Sequence, residues 1–174
     1  RDAFTAPGLE TRIAYSYKTN YLPAVCAILY DEGALAEVVS GMEYDLARSL
    51  GVPGEDIVFN GPFKRPDELR AAITDGALVN IDGFDELESI SEIASGLGRK
   101  ARVGLRVNFQ YGAEPWTKFG FNVENGDSQR AFKIIAGDGN LKFEALHNHS
   151  GTFHVDPNVY AQAARVMIEE VKRA

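Results

Sequence analysis

A lysine at the end of a predicted strand is the residue best placed for covalent chemistry. Lys18 follows the β-rich run of residues 12–17. A lysine in a desolvated pocket loses proton affinity and becomes a usable amine nucleophile. Such an amine would capture an aldehyde cofactor as a Schiff base. Position alone leaves open the alternative of a solvated strand-end lysine.

Two histidines near the end of the last predicted strand form a second candidate group. His147 and His149 are two residues apart, so both side chains face the same way on a strand. A pair at this spacing can ligate a metal ion, but no cysteine or carboxylate adds an obvious third ligand, so we expect no metal site. Residues 150–152 (SGT) follow at once, and their backbone N–H groups could approach a phosphate closely. Polar strand-end residues without a function are the alternative interpretation.

Alternate positions on other predicted strands add charged side chains to the same face. Glu37 and Arg106 have the parity that points inward in a barrel, where active sites collect at the C-terminal strand ends. A buried arginine needs a partner, and a surface ion pair is the alternative for Arg106. Ser40 and Glu43 indicate a helix capping box. Cys26 lies among apolar residues and predicts core packing.

The elements that must position these residues alternate between strands and helices. Predicted strands cover residues 12–17, 36–40, 57–60, 77–81, 101–108 and 141–149. Predicted helices cover residues 20–30, 43–50, 66–74, 85–95, 128–136 and 157–173. This alternation indicates parallel βαβ units, and no Gly-rich nucleotide loop follows the first strand. A complete eight-stranded barrel needs ~250 residues. The chain has 174 residues, which predicts an α/β fold, either a (β/α) TIM-type barrel that is incomplete at about six βα units or an open sheet.

Composition narrows the classes of function. The net charge is −7 and the basic residues are scattered, so we expect no nucleic-acid binding. No apolar run approaches the ~18 residues of a membrane span. The length corresponds to about one domain. The single cysteine allows no intrachain disulfide, which predicts a cytoplasmic protein.

Seven short segments, in this order, resemble one known family. They are residues 15–20 (YSYKTN), 37–43 (EVVSGME), 59–64 (FNGPFK), 79–82 (VNID) with 86–87 (EL), 105–108 (LRVN), 118–120 (KFG) and 146–152 (LHNHSGT). These segments resemble the motifs Y-A-x-K-A-N, D-V-V-S-x-G-E, F-x-G-x-x-K, V-N-x-D…E-L, L-R-V-N, K-F-G and L-H-x-H-x-G-S. The family comprises the pyridoxal 5'-phosphate (PLP)-dependent amino-acid decarboxylases that include diaminopimelate and ornithine decarboxylase. It shares its barrel with alanine racemase.

The resemblance implies a role for each matching residue. Lys18 would be catalytic and form the Schiff base with PLP, and His149 would be catalytic and stack on the pyridine face. Thr152, at the family's serine, would help to hold the phosphate. Arg106 and Glu37 would line the cofactor pocket, with Glu37 where the family usually has aspartate.

The resemblance also implies an organisation and an activity. Residues 1–174 would be a partial PLP-binding barrel, without the C-terminal β-rich domain and the E-P-G-R segment of the family. The full-length protein would be a homodimer that decarboxylates a basic or diamino acid of the diaminopimelate, ornithine, lysine and arginine class. A PLP-dependent racemase or epimerase on the same barrel is one alternative. A non-catalytic barrel homologue that binds proteins is another.

Overall fold

The computed structural model describes residue 8 and residues 10–111, 114–115, 118–151 and 155–173 of the chain. Its main sheet contains six parallel strands: β1 (Ala14–Ser16), β2 (Leu35–Val38), β3 (Ile57–Phe59), β4 (Leu78–Ile81), β5 (Ala101–Asn108) and β9 (Leu141–His147). Three short strands lie between the last two: β6 (Gln110–Tyr111), β7 (Glu114–Pro115) and β8 (Phe121–Asn122). The helices are α1 (Pro23–Asp31), α2 (Gly41–Ser49), α3 (Pro66–Asp75), α4 (Phe84–Leu97), α5 (Asp127–Gly137) and α6 (Pro157–Lys172).

The strands of the main sheet are ordered as they are in the chain. The order β1-β2-β3-β4-β5 continues to β9, and each neighbouring pair is parallel. A helix connects each strand to the next, as parallel pairing requires. β8 extends the pairing of β5 at Val107 and Asn108, and β6 and β7 form a separate antiparallel pair. All six predicted strands and all six predicted helices therefore occur, with shifts of a few residues at their ends.

Strand periodicity separates an apolar layer from a polar one. One set of alternate positions is fully buried in the layer beneath the helices, and it includes Ile57, Phe59, Val79, Ile81, Val103, Leu105 and Val107. The opposite set carries Glu37, Asn60, Asn80 and Arg106. Burial of the apolar set supplies the main driving force for this architecture. The polar side chains therefore lie on the opposite, inner face of the sheet.

Two local interactions differ from those that the sequence predicts. Ser40 is the N-cap of α2 and accepts a hydrogen bond from the Glu43 N–H, but the Glu43 carboxylate accepts from the Val39 N–H instead of the Ser40 N–H. The sequence also predicts that Asn20 caps the helix of residues 20–30, but the N-cap of α1 is Leu22. The Asn20 side chain accepts a hydrogen bond from the Leu22 N–H, an Asx-type turn that competes with capping.

The buried Lys64 links the C-terminal ends of β3 and β4 by hydrogen bonds. The Lys64 side chain is 0% exposed, and its Nζ donates to Gly61 O and Asn80 O at 2.9 Å each and to Glu86 Oε1 at 2.9 Å. Glu86 also accepts from the Asp82 N–H at 2.8 Å. Desolvation by burial lowers the pKa of Lys64, while the Glu86 carboxylate opposes that shift. The ammonium thus has a partner for each of its protons, which a buried charge requires.

We expect Glu86→Gln to lower the free energy of unfolding by about 3 kcal/mol, because it leaves the buried Lys64 ammonium without its counter-ion. Urea unfolding monitored by circular dichroism measures this loss. Glu169→Gln is the control, since Glu169 pairs with Lys172 where the two side chains are 58% and 65% exposed. It should leave the free energy of unfolding almost unchanged, because an exposed ion pair contributes little to stability. Equal effects of the two substitutions would contradict the structural role of Lys64.

Candidate active site

One cavity of about 670 Å³ lies at the C-terminal ends of the parallel strands. Lys18, Glu37, Arg106 and His149, which the sequence predicts as site residues, all line it. Thr152, the fifth predicted site residue, lies outside the described residues. The cavity volume is in the range of small-molecule sites. Parallel pairing produces this convergence, because it brings the carboxyl ends of β1, β2, β5 and β9 to the same edge.

Lys18 reaches the cavity from a single 3₁₀ turn, Tyr17–Thr19, that follows β1 directly. Buried Tyr17 anchors this turn, and the Thr19 hydroxyl donates to Ser16 O at 2.7 Å. Lys18 is an exposed residue that lines the cavity. Lys18 forms no hydrogen bond or ion pair with any residue that the structure describes. Its amine therefore remains available to a ligand.

Two carboxyl groups lie near Lys18. Glu37 Oε1 accepts a hydrogen bond from Asn60 Nδ2 at 2.7 Å. Glu43 is 5% exposed, and desolvation by burial raises the pKa of its carboxyl group. The Val39 N–H and the Lys18 charge act in the opposite direction, while the Glu37 charge raises it further. The sequence indicated only a capping role for Glu43, although its position one turn after β2 could have suggested a place at the same edge.

Arg106 is largely shielded from solvent and paired with Asp82, so the alternative of a surface ion pair is wrong. Its Nη1 donates to Asp82 Oδ1 at 2.6 Å, with side chains 12% and 11% exposed. The guanidinium also lies 4.9 Å from the centre of the Phe119 ring, within the range of a cation–π contact. Asp82 was not predicted as this partner. Its position immediately after β4, the neighbour of β5, was the available signal.

His147 is a further wall residue that the sequence left without a role. It is paired with Arg106 in the β5–β9 register and lines the same cavity. Burial lowers the pKa of His147 to about 4, and the positive charge of Arg106 contributes to the shift. The imidazole is therefore neutral near pH 7 and does not repel the neighbouring guanidinium.

The residues of the cavity fit a phosphorylated aromatic aldehyde such as PLP. The Lys18 amine can react with an aldehyde. The Arg106 guanidinium lines the same cavity and is a cation that can attract an anionic group of the ligand. Ser16 Oγ is buried in the wall without a hydrogen-bond partner among the described residues, which leaves a hydroxyl for a polar ligand atom. Within the same residues, no group of three or more His, Cys, Asp or Glu side chains could hold a metal ion. None of the described helices is long and apolar enough to cross a bilayer.

A comparison of the sequence with protein-family models identifies the family of this chain. The model described as pyridoxal-dependent decarboxylase, pyridoxal binding domain, matches residues 2–174. The chain belongs to the pyridoxal-dependent decarboxylase family. PLP, the cofactor predicted from the sequence, is accordingly the cofactor of this family.

Curated relatives agree with this assignment. The diaminopimelate decarboxylase of Aquifex aeolicus is 33% identical over 167 residues, which cover 91% of this chain and 40% of the relative. The diaminopimelate decarboxylase of Methanocaldococcus jannaschii is 31% identical over 174 residues, which cover 94% of this chain and 40% of the relative. The chain thus spans about 40% of the length of the curated relatives it matches.

Solved structures show the same fold. The diaminopimelate decarboxylase of M. jannaschii in complex with L-lysine is 32% identical and superposes with a TM-score of 0.83, over 88% of this chain and 38% of that one. The Helicobacter pylori diaminopimelate decarboxylase in complex with L-lysine is 26% identical with a TM-score of 0.87, over 97% of this chain and 45% of that one. The predicted α/β fold, an incomplete TIM-type barrel, is confirmed for this pyridoxal-dependent decarboxylase chain.

We expect the His147 imidazole to titrate at about pH 4 in an NMR titration of its ring protons, because desolvation by burial, and then the charge of Arg106, disfavours the protonated form. Arg106→Gln should raise this midpoint only in part, since burial is the larger cause. An unfolded histidine binds its proton near pH ~6.5. His147 therefore contributes stability that is present above that pH and is lost as the pH falls towards the folded pKa. A midpoint at the ordinary value in the folded protein would contradict the burial of His147.

Proposed function

We propose that the protein containing this chain is a PLP-dependent decarboxylase, a carbon–carbon lyase that acts on a basic or diamino acid. The candidate substrates are those of the diaminopimelate, ornithine, lysine and arginine class. The observation that carries the proposal is the Lys18 amine, which lines the cavity without an ion pair to any described residue. The activity is proposed for the whole protein, of which this chain supplies the pyridoxal binding domain.

Each predicted residue has a proposed task toward PLP. Lys18 would hold the cofactor covalently through its amine. His149 would lie against the ring, and Arg106 and Glu37 would line the pocket. Thr152 contributes to holding the phosphate. When bound, PLP accepts the electron pair that remains on the substrate carbon as carbon dioxide departs.

The residues of this chain support that chemistry by binding and orientation. Asp82 and Phe119 hold the Arg106 guanidinium from two sides, so the cation keeps one position in the wall. Asn60 holds the Glu37 carboxylate in the same way. Such side chains need no reorganisation when a charged ligand enters, which is the main advantage of a preorganised site. Neutral His147 adds no further positive charge beside Arg106.

The substrate class is supported by the relatives. Diaminopimelate decarboxylases from several organisms match the chain at 28–33% identity, and three related structures contain L-lysine. Within this class we favour a diamino acid. A free lysine amine gives no advantage to a non-catalytic binding protein, so the structure offers no support for that alternative. The expected homodimer, the C-terminal β-rich domain and the cytoplasmic location remain predictions about the whole protein.

Borohydride reduction of the full-length protein incubated with PLP, followed by peptide mass spectrometry, should find the adduct on Lys18, because its amine is the unpaired one in the cavity. Lys18→Ala should abolish the adduct. The control is Lys133→Ala, on the exposed surface of α5, which should retain it. An adduct on another lysine would contradict the assignment of Lys18 as the residue that carries PLP.

Decarboxylation and racemisation can be separated by their products. Full-length protein supplied with PLP and each of diaminopimelate, lysine, ornithine and arginine should release carbon dioxide from one of them. Release should fall by at least ~10³-fold in Lys18→Ala, since covalent attachment of the cofactor is lost. An epimerised substrate without carbon dioxide release would favour the racemase or epimerase instead.

A further inference from the structure

A row of hydrogen bonds crosses three strands behind the Glu37 carboxylate. Asn60, the residue after β3, donates from Nδ2 to Glu37 Oε1 at 2.7 Å. Asn80, on β4, donates from Nδ2 to Asn60 Oδ1 at 2.5 Å. The two asparagines are 8% and 4% exposed. This amide relay, Asn80–Asn60–Glu37, connects the core of the sheet to a residue that lines the cavity.

The chemistry of the groups allows only one direction for the relay. A carboxylate can only accept, so Asn60 must turn its Nδ2 toward Glu37 and its Oδ1 toward Asn80. Asn80 must then donate, which directs its own Oδ1 toward Gly104 on β5. A Cβ atom at residue 104 would lie 1.8 Å from that oxygen, so only glycine leaves room for it. Lys64 Nζ also donates a hydrogen bond to the main-chain carbonyl oxygen of Asn80.

The relay determines where the negative charge of Glu37 lies relative to Lys18. Ser16 is paired with Glu37 in the β1–β2 register, and Lys18 is two residues beyond Ser16. Both charged side chains line the cavity, and the field of each reaches Glu43. Glu43 is itself held by the Val39 N–H. Glu37 is therefore the acidic side chain whose position depends on the asparagines.

We propose that Asn60, supported by Asn80, is a positioning residue that holds the Glu37 carboxylate on the β3 side of the cavity and so keeps the Lys18 amine free of a counter-ion. This inference rests on the proposed role of Lys18 in carrying the cofactor. An ion pair with Glu37 would favour the protonated amine, and only the unprotonated amine attacks an aldehyde. The absence of an ion pair between Lys18 and any described residue is what this arrangement produces.

Competitive acetylation of the full-length apoprotein tests the proposal without PLP. Acetic anhydride at pH 8 labels unprotonated amines, and peptide mass spectrometry reads the rate at Lys18. Asn60→Ala should slow labelling of Lys18 by about three-fold, the effect of a partly exposed ion pair on a protonation equilibrium. In the Glu37→Gln background the same substitution should have no effect, because no carboxylate is left to move.

Two further variants make the result unambiguous. Asn80→Ala removes the support of Asn60 but leaves every cavity-lining residue in place, so it should slow labelling in the same direction by a smaller factor. It also serves as the test if Asn60→Ala does not fold. Asn122→Ala is the matched control, since it removes the 2.8 Å amide hydrogen bond from Asn122 Nδ2 to Asn108 Oδ1, away from the cavity lining. It should leave labelling of Lys18 unchanged.

The outcomes separate this inference from the proposed function. Equal slowing by Asn60→Ala with and without Glu37→Gln would overturn the positioning role, because Asn60 would then act through the fold alone. No slowing in either asparagine variant would overturn it as well. If the acetylation results hold but borohydride places no PLP on Lys18, the positioning is supported and the proposed function fails.

Discussion

The ammonium group of Lys64 is the constraint on which the cavity edge depends. It joins the turn after β3, the end of β4 and the start of α4 through Gly61, Asn80 and Glu86. A fully buried cation is costly unless every proton has an acceptor, so these three segments can adopt only positions that supply one. Asn60 and Asn80 lie within the same segments. Their side chains are consequently held in place before any ligand enters.

Among the described residues at this edge, several charged groups have an ion pair or a hydrogen bond, while the Lys18 amine has neither. Lys64 pairs with Glu86, Arg106 pairs with Asp82, and Glu37 is bound by an amide. Pairing stabilises the ionised form of each of these groups. Lys18 is left without such a partner among the described residues. Lys18 therefore keeps an amine that can react with a ligand, while the neighbouring charges are already bound to other side chains.

The order and type of the elements could be predicted because they depend on short-range patterns. Leu87, Ile90, Ile93 and Ala94 have helical spacing, and all four are buried on α4. The prediction failed where two local hydrogen bonds compete. The Asn20 side chain accepts a hydrogen bond from the Leu22 N–H instead of capping a helix. α4 continues through Gly96 to Leu97, and its C-cap Gly98 has a left-handed φ of 61°. Sequence spacing does not rank such alternatives, since an N-cap contributes only about 1 kcal/mol.

The amino-acid sequence by itself determined the alternation of elements, the family and the inward parity of Lys18, Glu37 and Arg106, because strand periodicity and motif spacing are properties of neighbouring residues. Only the tertiary structure decided the partners: Asp82 for Arg106, and Asn60 with Asn80 for Glu37. These partners are 20–24 residues apart in the chain. Register and twist set the distances between them, and a hydrogen bond is lost within a few tenths of an ångström beyond its normal length.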